Sequence, residues 1–567
     1  MYRAIGHIFE TSTFLSFLNL LLVFLFVLFR KKVMKAPKII LHSLCTIPAI
    51  VCFIHFFAYN LHYANNESLF IFTTMYISSI FIFFIQFFYS NKKLYYIWIV
   101  PTIIISFTAF TETYFKTILK ENLHNLTYYN YTDSFTTSLK ILKKEYALNE
   151  HKKIDYDSLY TKYYPRIKKA EEKNDAELFY KTMYELSYEI KDAHFNFYIN
   201  IKTEEDYDKY RFIQDYENKD YGFASVLLTD GTLSAIMVDE ESDAYALGLR
   251  DGMTITKKDG IPVYDLIDEV LAPIDKYPVL EDERLVKSLW LFSTGPEVIE
   301  LSFLNDFGVE KTIQVETAKE ENIKYRANEY YHKLFSYPYD QDNLTTKMVN
   351  DTTGYLYVSH EVYDNYAGAL AYVTNDSSYL TTILETKLLE LKRNGMKNLI
   401  IDLRGNSGGY NTESVAIASL FTNDSYLFTK NAKYQHKLYD KTYMKGLGTY
   451  ADSPITVLVD LNTVSAGDAL AYALSKNSNV KIMGLTNSNN SCQAVGGYIY
   501  LTNGESYITY PTYNFYYPNG AIFIDPDASR TPSVKLDYRI PLTKESILTI
   551  MNTEEDYVLD YALKTIK

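Results

Sequence analysis

The segment NLIIDLRGNSGG, from Asn398 to Gly409, runs an apolar stretch directly into a turn that holds three glycines. Further on, ITVLVDLNTVSAGDALAYAL, from Ile455 to Leu474, repeats the plan: an apolar run, a polar turn, then apolar residues at helical spacing. Runs this short and this unbroken read as parallel strands covered on both faces, where no polar alternation is needed. Outward from these two segments, GYLYVSH, SYLTTILETKLLELKRNG, TESVAIASLF, AGDALAYALSKN and VKIMGL alternate strand and helix from about Thr353. That order predicts an α/β layer with a parallel sheet.

Both strand-to-turn junctions can carry chemistry. In Asp402-Leu403-Arg404-Gly405-Asn406-Ser407-Gly408-Gly409 the glycines let backbone N–H groups turn toward a bound oxygen, as an oxyanion hole or anion nest requires. The Lys-Ser/Thr pair of a phosphate-binding loop and the dinucleotide spacing are both missing. In Leu461-Asn462-Thr463-Val464-Ser465-Ala466-Gly467-Asp468 a serine opens a helix. Such a serine serves either as an N-cap or as a nucleophile whose oxyanion is favoured by nearby N–H groups and the helix dipole.

Upstream, SFTTSLKILKKEYAL and AELFYKTMYELSYEI predict a helical cap over about 113–215, which ends at Lys191-Asp192-Ala193-His194 before the alternating FNFYI. From about 216 to 315 strands and turns alternate, and SDAYALGLRDGMTITKKDGIPV resembles PDZ domains, with Ala246-Leu247-Gly248-Leu249 in place of their Ala-Gly-Leu run. That resemblance places Tyr221-Gly222-Phe223-Ala224 at the loop that holds a peptide carboxylate while the peptide adds as a strand. The other reading is a small β-domain that only spaces the site.

Residues 1–112 differ in kind. Stretches 11–29, 39–60, 69–89 and 94–111 carry no charged residue, and each approaches the roughly 20 apolar residues a spanning helix needs. They predict a four-helix transmembrane region. Arg30, Lys31, Lys32, Lys35 and Lys38 between the first two stretches, and Lys92 and Lys93 between the last two, put those loops in the cytoplasm. The expected location is therefore the cell membrane, multi-pass, with everything after about Glu112 extracytoplasmic. The whole chain of 567 residues has a net charge of −13, although residues 1–112 hold eight Lys/Arg against three Asp/Glu. The acidic remainder excludes a nucleic-acid partner. Cys45, Cys52 and Cys492 draw no disulfide framework.

Taken together, the two junctions resemble the tail-specific (C-terminal processing) serine peptidases and the related tricorn proteases, whose signature is Asp-Leu-Arg-x-Asn-x-Gly-Gly followed by Thr/Ser-x-Ser-Ala-x-Glu/Asp. The likeness extends from about Thr132 to a closing Val534-Lys535-Leu536-Asp537. It implies a multidomain α/β chain: helical cap, PDZ-like β domain, and a crotonase/ClpP-like protease core over 316–567. It also implies Ser465 as nucleophile and N–H groups of Gly408 or Gly409 and of Ala466 as the oxyanion hole. Members with a Ser-Lys dyad carry a lysine where this chain has Asn490, and no lysine stands between Lys481 and Lys535. The tricorn-like branch takes its base from a histidine in text resembling Ile190-Lys191-Asp192-Ala193-His194-Phe195, which implies His194 as general base. For the third partner the nearest acids are Asp525 and Asp527, and Asp468 stands where a Glu is usual. No metal or organic cofactor is implied. The expected partners are a polypeptide, held by its C-terminus, and the membrane. The rival expectation is a catalytically inactive peptide-binding or sensor protein on the same fold.

Overall fold

A computed structural model describes residues 122–200, 218–271, 276–319, 322–337, 343–362, 377–433, 440–553 and 555–565. The chain divides into a unit Met1–Asn125, of which only strand β1 (Asn122–Asn125) is described, and a unit Leu126–Lys567. The second unit opens with four helices: α1 (Tyr131–Glu145), α2 (Asn149–Lys152), α3 (Tyr156–Lys173) and α4 (Ala176–Glu189). Asn130 caps α1 by accepting the Asp133 N–H at 2.8 Å, and Asp175 caps α4 by accepting that of Leu178 at 2.9 Å. Strand β2 (Asn196–Ile199) follows, with His194 in the turn before it.

A second layer is an antiparallel sheet in the order β3 (Ala224–Leu227), β4 (Leu233–Ile236), β5 (Thr254–Lys258), β7 (Val298–Leu304), β8 (Glu310–Glu316), with β6 (Ile261–Pro262) on β5. Helices α5 (Asp243–Ala246), α6 (Val263–Ile267) and α7 (Leu280–Leu289) interrupt it, and α8 (Arg326–Leu334) leads out of it.

The core sheet runs β18 (Tyr538–Arg539), β15 (Val480–Gly484), β14 (Ile455–Leu458), β11 (Asn398–Asp402), β10 (Thr353–Val358), β9 (Leu344–Met348). All neighbours pair parallel except β9 on β10. Alternation sends Leu356, Val358, Leu399, Ile401, Val457 and Ile482 to one face, against α9 (Ser378–Arg393), α10 (Asn411–Ser419) and α11 (Ala466–Leu474). Leu380, Leu384, Leu388 and Leu391 form the buried stripe of α9. Tyr355, Tyr357, Ile400, Leu458 and Met483 face the other way, onto α7, α8, α12 (Lys544–Asn552) and α13 (Tyr557–Thr565). Cover on both faces explains the unbroken apolar runs. A third sheet, β16 (Ala494–Tyr500), β17 (Ser506–Tyr516), β12 (Ser425–Lys433) and β13 (Asp440–Lys445), with β2 on β17, packs Ile499, Ile508 and Tyr510 against the cap helices.

Among the described residues no helix is long and apolar enough to cross a membrane. The longest, α3, has 18 residues but presents Lys162, Arg166, Lys168, Lys169, Glu171 and Glu172 around the buried stripe Leu159, Tyr163, Ile167. It is a charged amphipathic helix that rests on one face. The fold class is corrected accordingly to a mixed α/β unit. The four-helix transmembrane region expected at 11–29, 39–60, 69–89 and 94–111 lies outside the described residues and finds no support, and neither does a multi-pass membrane location.

Candidate active site

The parallel strands β11 and β14 end side by side, so their two following turns meet. Thr463 Oγ1 donates to the Leu403 carbonyl at 2.7 Å, the Gly405 N–H to Asp460 Oδ1 at 3.0 Å, and the Val464 N–H to the Asn406 carbonyl at 2.9 Å. Asp402 and Arg404 are buried beneath them as a structural pair. Arg404 reaches Asp402 at 2.6 Å and Asp556 of the C-terminal helix region at 2.7 and 2.6 Å, and Tyr355 donates to Asp402 at 2.8 Å.

Ser465 sits at the N-cap of α11 with φ 61° and ψ −118°, and its side chain makes no capping hydrogen bond. The capping explanation is thereby removed, and the backbone is held where residues with a Cβ are strained. A Cβ added to Gly408, itself at φ 91°, would lie 2.7 Å from the Ser465 Cβ and 3.1 Å from the Ala466 nitrogen. Only glycine lets this turn close on the serine. The Gly408 N–H points inward, to Asn406 Oδ1 at 2.9 Å. The N–H groups of Gly409 and Ala466 have no acceptor among the described residues and so can donate to a bound oxygen.

His194 reaches the same place through Ser491. The Ser491 carbonyl accepts the Ser465 N–H at 2.9 Å, and its Oγ accepts the Ala193 N–H at 3.2 Å. The His194 Nδ1 is buried without a hydrogen-bond partner among the described residues and lies 3.9 Å from Asp192 Oδ1, which accepts the His194 backbone N–H at 2.9 Å. Asp192 is fully buried and takes the Tyr146 hydroxyl on its other oxygen at 2.8 Å. Burial pushes the His194 imidazole below its ordinary value, against the opposing pull of Asp192, and Lys152 lowers it further. The ring is therefore neutral at pH 7 and able to take a proton.

Asp525 belongs to this cluster. One oxygen accepts the Cys492 N–H at 3.2 Å, the other lies 3.1 Å from the buried Lys152 Nζ, and burial lifts the carboxyl to about 7. Cys492 in turn donates its thiol to the Ser465 carbonyl at 2.9 Å. Asp527 is exposed and is engaged by Ser529, whose N–H it accepts at 2.8 Å, with no hydrogen bond to Ser465 or His194 among the described residues. Asp468 holds the loop under Ser465 by accepting the Asn490 and Ser491 N–H groups at 2.9 and 3.0 Å. Asn490, where a dyad lysine would stand, accepts the Ser533 and Val534 N–H groups at 2.7 and 2.8 Å. Lys481 is half-exposed beside Asp537, and Lys535 is exposed. Lys152, which lies beside Asp525, is marked by no motif.

Tyr221, Gly222, Phe223 and Ala224 lie elsewhere, buried at the start of β3. The Tyr221 hydroxyl donates to the Pro296 carbonyl at 2.5 Å and the Gly222 N–H to Asp220 Oδ1 at 2.8 Å. The edge of β3 is covered by α7: the Leu227 N–H donates to Ser288 Oγ at 2.8 Å.

Residues 369–530 match the family model described as Peptidase family S41. The carboxy-terminal processing protease CtpA of Bacillus subtilis (strain 168) is 31% identical over 146 residues, which is 25% of this chain and 30% of that protein. The chain thus spans about 30% of the length of the curated relative it matches. Among solved structures, mature CPAF complexed with lactacystin is 13% identical with a TM-score of 0.47, covering 77% of this chain and 97% of that one. The photosystem II D1 C-terminal processing protease is 16% identical with a TM-score of 0.30, covering 75% and 97%. Residues 369–530, the stretch that holds both the glycine turn and Ser465, are thus similar to Peptidase family S41.

Proposed function

We propose that the protein is a serine-type peptidase that cleaves polypeptides by acyl transfer. The observation that carries the reading is Ser465, held in a strained conformation with no capping bond from its hydroxyl, against Gly408 and at the head of α11. His194 accepts the Ser465 proton as Oγ attacks a peptide carbonyl, and the N–H groups of Gly409 and Ala466 receive the developing oxyanion. His194 then passes the proton to the leaving amine as the C–N bond breaks, and water releases the acyl group. Asp192 is the acid that best fits the role of orienting His194, since Asp525 is engaged by Lys152. Recognition of a substrate C-terminus by residues 221–224 is the finer part of the proposal. A peptide strand can be added at β3 only after α7 gives up the Leu227 N–H.

The test is labelling with a serine-reactive fluorophosphonate, followed by mapping of the labelled residue. Labelling at Ser465, lost in Ser465→Ala and reduced nearly as far in His194→Ala as in the double variant, is the expected result, because the two act as a unit. Peptide binding without any label at Ser465 would leave an inactive binding protein on the same fold.

A further inference from the structure

Glu361 follows β10 and is buried beneath the glycine turn, 1% exposed. Its backbone is tied to that turn twice: its N–H donates to the Gly408 carbonyl, and its carbonyl accepts the Tyr410 N–H, both at 2.9 Å. A Cβ on Gly409 would strike the Glu361 carbonyl oxygen at 2.4 Å. The side chain makes a third tie. Asn406 donates one amide hydrogen to Glu361 Oε1 and one to the Val358 carbonyl, each at 2.9 Å, while its own Oδ1 accepts the Gly408 N–H. Asn406 is fully buried, and Glu361 sets which way its carboxamide points.

The second oxygen, Oε2, is buried with no hydrogen-bond partner among the described residues. The groups that face this carboxyl are Glu413 from α10, Asp468 from α11 and the Cys492 thiol, none of them a cation. Glu413 is itself engaged by the Tyr379 hydroxyl of α9, and the neighbouring His360, which burial keeps neutral, is bonded to Ser359 Oγ at 2.9 Å. A neutral acid satisfies the Asn406 amide with its carbonyl oxygen. An ionised one adds a negative charge beside two carboxyls, under the turn whose N–H groups must receive an oxyanion.

We propose that Glu361 is a positioning residue of the Ser465 site: in its uncharged form it fixes Asn406 and through it the Gly408–Gly409 turn, and its ionisation turns the site off. The inference rests on the serine-peptidase reading above. Burial lifts this carboxyl to about 8, with Asn406 opposing and Glu413 and Asp468 adding to the rise. Cleavage is therefore bounded on the acid side by protonation of His194 and on the alkaline side by loss of the Glu361 proton. Asp468 and Asp525 titrate lower, at about 7, so only substitution at position 361 identifies the alkaline group.

The experiment measures kcat/KM on a fluorogenic peptide, and the rate of fluorophosphonate labelling at Ser465, from pH 6 to pH 9.5 with the full chain. Glu361→Gln, which keeps an oxygen for Asn406 and cannot ionise, should lose at most about threefold at pH 7 and exceed the wild type by about tenfold at pH 9. Glu361→Ala should lose about a hundredfold at every pH, since the turn is no longer held. The proposal is overturned if Glu361→Gln keeps the wild-type alkaline limb, or if it is folded yet as inactive as Glu361→Ala at pH 7. Should Glu361→Gln fail to fold, the wild type still decides: labelling that does not fall reversibly between pH 7 and pH 9.5 refutes it. Absence of Ser465 labelling at every pH strikes the serine-peptidase reading itself, whereas labelling without an alkaline limb strikes only Glu361.

Discussion

At Ser465 the backbone angles of φ 61° and ψ −118° are ones glycine adopts freely and a residue with a Cβ adopts at a cost of about 1–3 kcal/mol. The cost has a visible effect. An extended N-cap would aim the hydroxyl at the first-turn amides, whereas here it makes no such bond and stays available. Ser465→Ala and Ser465→Gly should therefore both lose cleavage by about a million-fold, but Ser465→Gly should be the more stable of the two by about 1–2 kcal/mol. Urea unfolding of the two variants decides this, and equal stabilities would remove the strain from the account. Ser465, His194 and the glycines were legible in the sequence because each stands in a short local pattern. Asp192, Ser491, Lys152 and Glu361 were not. Ser491 meets Ala193 across 298 positions and Lys152 meets Pro526 across 374, so no local pattern marks them. A charged side chain reads as solvated until distant chain is seen to cover it.

Among elements, the parallel strands were the most legible, because cover on two faces leaves apolar runs such as LIID and TVLV in the text. The antiparallel sheet of β12, β13, β16 and β17 was not read at all. Its buried positions include tyrosine and polar residues, among them Ser506, Thr509, Tyr510, Thr512 and Asn514, and its partners are cap helices hundreds of residues away, as where Tyr510 meets Glu145 at 3.0 Å. The turn after β11 belongs to this scale too, since its path depends on how closely it approaches α11. A Cβ at Gly408 would meet backbone atoms, the Val464 carbonyl at 2.9 Å and the Ala466 nitrogen at 3.1 Å, which cannot rotate away. Gly260, at φ 76°, has nothing within 4 Å of the same position. Gly408→Ala should thus cost about a hundredfold or more in kcat by pushing the turn off Ser465. Gly260→Ala should cost only about 1 kcal/mol of stability with activity kept. Comparable activity in both variants would show that the close approach does not matter to catalysis.

Over the whole molecule, the interior holds carboxyls that keep their protons. Burial lifts Asp460 to about 6, Asp282, Asp468 and Asp525 to about 7, and Glu361 to about 8. In the unfolded chain each has lost its proton by about pH 5. Above that pH the folded state binds more protons than the unfolded one, so stability falls as pH rises, until each folded value is passed. Two opposing groups end earlier. His151, His194 and His360 are pushed down by burial, so they add stability with rising pH only up to about 6.5, where the unfolded imidazole has lost its proton. Asp239, held low by Lys324 and Arg326, and Asp268, held low by Arg284, deliver their contribution above about pH 5 and then stay constant. From about pH 6.5 upward the buried acids are left as the dominant sign. The midpoint of thermal unfolding should therefore drop between pH 6.5 and pH 8.5, and Glu361→Gln, which removes the highest of these groups, should flatten the last part of the drop. A midpoint that holds or climbs across that window would mean that these carboxyls are already ionised in the folded protein.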